Sequence, residues 1–137
     1  MKSISPYLMF HGECRAAMEF YRRSLGGELE VMTYEGSEVP HTDEEKDFVM
    51  HATLVTGPLV IMGADHTGSK KPVSADTVHL SIDCESEEEI NRLFGNMSAG
   101  GHISMPVEDT FWGARFGMCK DKFGINWMFN YDKPTPS

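Results

Sequence analysis

Val78-His79-Leu80-Ser81-Ile82-Asp83-Cys84, then an amphipathic run from Ser86 to Met97, then Gly100-Gly101-His102-Ile103, repeats a plan already used near the start of the chain. The earlier copy is Ile4-Ser5-Pro6-Tyr7-Leu8-Met9-Phe10, then Glu13 to Ser24, then Gly26-Gly27-Glu28-Leu29. Each copy reads as a strand, a polar break, a helix, a glycine pair and more strands. Phe20 and Phe94 stand equally far from their glycine pairs, so one offset aligns both helix ends. Repetition at so long a period predicts two related modules, residues 1–70 and 71–137 of one compact domain, with any site lying between them.

The remaining elements follow from apolar spacing. Strand one, residues 4–10, carries Tyr7 and Met9 on one face and Leu8 and Phe10 on the other, so both faces are expected to be covered. Cys14, Ala17, Met18, Tyr21 and Leu25 recur at helical spacing, with Glu19, Arg22 and Arg23 on the polar side. Further strands are expected over residues 29–34, 48–55 and 59–64. Between them lies a long polar loop, Glu35 to Lys46, and after them a polar seam, Asp65 to Asp76. In the second half, strand five is Val78 to Cys84, and Ser86 is the expected N-cap of a helix burying Ile90, Leu93, Phe94 and Met97. Three strands follow, at Ile103–Glu108, Phe111–Cys119 and Ile125–Tyr131. The order βαβββ, twice, makes the class α+β.

Composition narrows the function classes. Twenty-one acidic residues against twelve basic ones give a formal charge of -9, which disfavours nucleic acid or an anionic membrane as partner. Cys14, Cys84 and Cys119 are too few and too scattered for a disulfide framework or a CxxC metal site. A cytoplasmic location is expected, because the first residues show neither a signal peptide nor an apolar run of membrane-spanning length.

Pro6-Tyr7-Leu8, the helix end Glu19-Phe20-Tyr21-Arg22-Arg23-Ser24-Leu25-Gly26-Gly27 and the closing Asp121-Lys122-Phe123-Gly124-Ile125-Asn126-Trp127 resemble the vicinal oxygen chelate superfamily. That superfamily holds glyoxalases, bleomycin- and fosfomycin-resistance proteins and extradiol dioxygenases. Thr110-Phe111-Trp112-Gly113-Ala114-Arg115-Phe116-Gly117 with Asp121-Lys122-Phe123-Gly124 resembles its PhnB-like branch, sometimes labelled as a 3-demethylubiquinone methyltransferase type. The resemblance covers nearly the whole chain. It implies paired βαβββ modules forming a cupped half-barrel sheet, usually completed in a homodimer.

The resemblance also implies positions for a divalent metal, and these can be carried over one at a time. The strand-one ligand falls near Pro6, the strand-four ligand near Ile61 or Met62, the strand-five ligand at Thr77 or His79, and the strand-eight ligand at Trp127. At most one good donor survives where a catalytic zinc site needs three, so no metal or other cofactor is expected. The methyltransferase label finds no support either. No glycine-rich turn follows a strand at nucleotide-binding spacing, and 137 residues leave little room for such a sheet.

Candidate ligand-binding residues are His51, His79, Trp112, Arg115 and Trp127. His51 and His79 lie on polar strand faces, where each is either a pocket acid or base or a histidine bonded to backbone. Trp112 and Trp127, with Phe111, Phe116 and Phe123, form either an apolar cup or ordinary core and dimer contact. Arg115 either grips an anionic ligand or pairs with Glu108 or Asp109. His11, His41, His66 and His102 and the acidic runs at residues 43–45 and 87–89 are expected to be solvated. The expected function is binding of a small organic molecule in the cup, with any reaction open. The alternatives are a metal-dependent lyase, isomerase or dioxygenase with relocated ligands including His51 and His79, and a structural dimer.

Overall fold

The structure, a computed structural model, describes residues 1–68 and 76–135. It contains β1 (Tyr7–Phe10), α1 (Cys14–Leu25), β2 (Glu28–Thr33), β3 (Val49–Thr56), β4 (Leu59–Asp65), β5 (Leu80–Asp83), α2 (Glu87–Ser98), β6 (His102–Asp109), β7 (Ala114–Lys120) and β8 (Asn126–Asp132). Two compact units result, Met1–Val73 and Ser74–Ser137. The first holds a four-stranded sheet in the order β1-β4-β3-β2, the second one in the order β5-β8-β7-β6. In each, the opening strand pairs in parallel with the last strand of its module, and all other pairs are antiparallel. This is the α+β, twice-βαβββ plan expected from the repeat. Much of the polar seam lies outside the described residues.

Each helix covers one face of its own sheet. In α1, Cys14, Ala17, Met18, Phe20, Tyr21 and Ser24 are buried, and Leu25 at the helix end is only partly covered. In α2 the buried residues are Ile90, Leu93, Phe94 and Met97, the four expected from spacing. Burying each such side chain contributes about 1.5–3 kcal/mol. Ser86 caps α2, its hydroxyl accepting the Glu89 amide at 3.0 Å. The N-cap of α1, Glu13, makes no such bond. Asp65 at the end of β4 takes over, accepting the Cys14 amide at 3.0 Å and the Gly12 amide at 2.8 Å.

The paired glycines have a steric cause that repeats in both units. A Cβ on Gly27 would collide with the Val55 carbonyl oxygen near the end of β3, and one on Gly101 with the Lys120 carbonyl oxygen at the end of β7. β3 and β7 occupy equivalent places in the two sheets. The second glycine of each pair therefore marks the same close approach of chain to sheet.

Three strand starts differ from expectation by two residues or more. β1 begins at Tyr7, because ladder pairing with β4 starts there, and Ile4 is exposed. β5 begins at Leu80, leaving Thr77, Val78 and His79 ahead of the strand. β7 begins at Ala114, because Phe111-Trp112-Gly113 form a turn. That turn is closed by Thr110, whose hydroxyl accepts the Ala114 amide at 3.0 Å, and by Gly113 at φ +89°. The polar loop after β2 contains a 3-10 turn, Asp43–Glu45. Its acids are not all merely solvated. Glu45 accepts the Thr42 amide at 3.0 Å and the Gly68 amide at 2.7 Å, and these bonds hold its carboxyl below the usual range.

Candidate functional site

Side chains along a strand alternate between faces, so one contact with a helix assigns a whole sheet. In the first unit a Cβ on Gly63 would touch Cys14 and Met18 of α1, which places Gly63 on the helix side. Met62, one residue away, is on the opposite face, and its register partners Tyr7 and Thr53 share that face. His51 stands two residues from Thr53, with Met32 opposite it on β2. The helix-free face of this sheet thus presents Tyr7, His51, Thr53, Met32 and Met62 together.

Three of these form a hydrogen-bonded chain. The Tyr7 hydroxyl lies 3.0 Å from His51 Nδ1, and the Thr53 hydroxyl lies 3.0 Å from His51 Nε2. Both ring nitrogens are engaged by groups that can donate or accept. If Tyr7 donates to Nδ1, Nε2–H donates to Thr53 and the phenol oxygen is left as an acceptor. In the other tautomer Nδ1–H donates to Tyr7, whose own O–H is free for a ligand. Tyr7 is 45% exposed, so that group is reachable from solvent. His51 and Thr53 were legible as neighbours on one strand face, but Tyr7 was not legible as their partner, since nothing local marks a contact 44 residues away.

In the second unit, a Cβ on Gly117 would meet the Phe94 ring of α2, so Gly117 faces the helix. Arg115 and Cys119 share that face, and so does Trp127, the register partner of Cys119. Arg115 donates from Nε to Asn91 of α2 at 2.9 Å and from Nη1 to Asp109 at 3.1 Å, the pairing that was its alternative reading. Lys133 holds the other oxygen of Asp109 at 2.6 Å. Trp127 is 0% exposed, and its indole N–H donates to Asp121 at 2.8 Å. Arg115 and Trp127 therefore sit on the α2 side, Trp127 in the core.

Trp112 is elsewhere, 57% exposed in the β6–β7 turn beside Phe111, which is 97% exposed. With Gly113, Asp132, Lys133, Pro134 and Thr135 it lines a recess of about 420 Å³. His79, partly buried, precedes β5, near Asp76, whose carboxyl is held low first by Lys120. His51 belongs to the first unit and the other four candidates to the second, where they are divided between the α2 face, the turn and the approach to β5.

Two buried carboxylates escaped the sequence reading. Asp65 accepts three backbone amides, from Gly12, Cys14 and Val49, at 2.8 to 3.0 Å. Asp121 accepts the Phe123 and Ile125 amides besides the Trp127 indole. Both fasten element ends and face no open site. Of the remaining histidines, His66 and His102 are exposed, whereas His11 packs edge-on against Phe48 with its Nδ1 buried and, among the described residues, without a hydrogen-bond partner.

Of the positions where the superfamily would place a divalent ion, His79 ahead of β5 is the one good side-chain donor. Pro6 has none, Ile61 is fully buried, and the Trp127 indole is engaged in the core. Among the described residues no three His, Cys, Asp or Glu side chains come close enough to hold an ion. The cysteines offer no nucleophile. Burial pushes the Cys14 thiol up to about 12 and the Cys84 and Cys119 thiols to about 11. Native protein at pH 8 should leave all three unreacted with a thiol reagent over minutes, and denatured protein should titrate three. These thiols ionise at lower pH when unfolded, so stability should fall as pH rises from about 9 through 11.

Comparison with known proteins settles the family. The family model for 3-demethylubiquinone-9 3-methyltransferase matches residues 2–129. The chain belongs to that family, the PhnB-like branch of the vicinal oxygen chelate superfamily. Protein PA1353 of Pseudomonas aeruginosa is 36% identical, covering 98% of this chain and 100% of its own, at a TM-score of 0.84. Protein YjdN of Escherichia coli is 33% identical over 98% of both chains. A PhnB protein of Bacillus cereus is 27% identical over 95% of this chain and 99% of its own, at a TM-score of 0.82. The fold extends to more distant glyoxalase/bleomycin-resistance/dioxygenase domains, one at 16% identity and a TM-score of 0.69. Among the described residues no helix is long and apolar enough to cross a membrane.

Proposed function

We propose that this PhnB-like protein binds a small organic molecule over the helix-free face of its first sheet, gripping one polar group of the ligand through Tyr7. The carrying observation is the Tyr7–His51–Thr53 chain set among methionines and other apolar side chains. A few convergent polar groups on an apolar wall are what small-molecule sites share. His51 decides whether Tyr7 offers a donor or an acceptor, so a carbonyl, carboxylate or hydroxyl on the ligand can each be met. Met32 and Met62 adapt to the apolar remainder, as pliable thioether side chains do.

The family's methyltransferase description does not carry over as a reaction. Both sheets are mixed four-stranded sheets with a single parallel pair each, unlike the doubly wound parallel sheet that binds nucleotide cofactors. The donor positions inherited for a divalent ion likewise support no metal-centred step.

A ligand-observed NMR screen of small aromatic and aliphatic acids, ketones and alcohols tests the reading. Hits should lose at least tenfold in affinity in His51→Ala and roughly three- to tenfold in Tyr7→Phe, the worth of one neutral hydrogen bond. Hits unaffected by either change, or no hits at all, would overturn it.

A further inference from the structure

The helix-free face of the second sheet carries a different row of side chains. Met105 of β6 opposes Met118 of β7, and Met118 opposes Met128 of β8. Met118 lies one residue from helix-facing Gly117, so Met118 and its register partners Met128 and, between two irregularities of β6, Met105 stand on the side away from α2. Met105 is 47% exposed, and the other two are partly covered.

We propose that this row is a binding site for a soft monovalent cation of the Cu(I) type, held by three thioether sulfurs. Thioethers select Cu(I) over harder divalent ions. Neighbouring strands are about 4.8 Å apart, and methionine has three rotatable side-chain bonds, so sulfurs from three adjacent strands can converge on one ion. The surrounding charge favours a cation. In the next row Glu108 opposes Phe116, which opposes Asn130, which opposes Asp83, and Asp132 follows two residues along β8. Asn130 donates its amide to both Asp83 and Asp132, at 3.2 and 3.1 Å, leaving carboxylate oxygens exposed beside the methionines. Lys120, the cation two residues from Met118, is drawn to Asp76 at 2.7 Å. The site uses none of the oxygen or nitrogen positions that the superfamily devotes to divalent metals.

The test is an anaerobic titration of the full chain, its methionine methyl groups labelled with 13C, with Ag(I) as a redox-inert substitute for Cu(I). The Met105, Met118 and Met128 methyl signals should shift together and saturate at one equivalent, and Zn(II) should move none of them. Met118→Leu, nearly isosteric, should weaken Ag(I) binding at least tenfold. Three unmoved methyl signals would overturn the proposal, as would an equal response to Zn(II). So would affinity unchanged in Met118→Leu but lost in Cys119→Ala, which would place the ion on a thiol.

Discussion

Asp65→Ala is expected to lower the unfolding free energy by about 3–5 kcal/mol, the range for removing one side of a buried charged network. The carboxylate is 1% exposed and receives amides from the loop before α1, from the first residue of α1 and from the first residue of β3. Alanine would leave three donors without their acceptor, each desolvated group costing about 1–3 kcal/mol before relaxation or water entry. Tyr34 would lose support as well, since its hydroxyl donates to the Asp65 carbonyl at 2.9 Å and so depends on the backbone staying in place. Urea titration reads the effect as a lower midpoint. Asp65→Asn, which keeps one acceptor oxygen, should fall between wild type and alanine. Exposed Asp47→Ala should change the midpoint little, and a comparable loss there would show that Asp65 has no special role.

Gly27→Ala is the second large effect, about 3 kcal/mol or more, with Gly101→Ala close behind. At Gly27 two causes add: φ is +105°, and the new methyl group would overlap the Val55 carbonyl and the Thr56 side chain. At Gly101 only the overlap with the β7 backbone operates. The neighbouring glycines separate conformation from space. Gly26 has φ +82° with nothing within 4 Å of a Cβ, so Gly26→Ala should cost about 1–3 kcal/mol from backbone strain alone. Gly95 lies inside α2 with open space around it, and Gly95→Ala should stabilise by about 0.5–1 kcal/mol. Equal effects at Gly26 and Gly27 would contradict the steric reading of the repeat.

Local signals carried the architecture. The helical stripes, the Ser86 cap and the two glycine pairs are each set within a few residues of sequence, and each reappears in the structure. Strand ends were less legible, because pairing partners decide them: Val78 and Phe111 are apolar, yet neither joins a ladder. Arg115 and Trp127 fell within expected strands, but nothing in the sequence told which strand face meets α2. That is set by packing of Phe94 against Gly117 and Phe129, a contact between distant segments. Asp65 read only as the start of a polar seam and Asp121 only as part of a family motif, and only folding brings the amides to them. The Tyr7–His51–Thr53 chain was half visible for the same reason, as its histidine stood out while the register that supplies Tyr7 did not.

The most direct measurement is a crystal structure of the chain, purified without chelator and soaked with the tightest-binding molecule from the screen. The expected density lies over the first sheet, with a polar atom of the ligand within about 3 Å of the Tyr7 hydroxyl. Density against the α1 side of that sheet, or a divalent ion bound by three protein groups near Met62 or His79, would contradict the account.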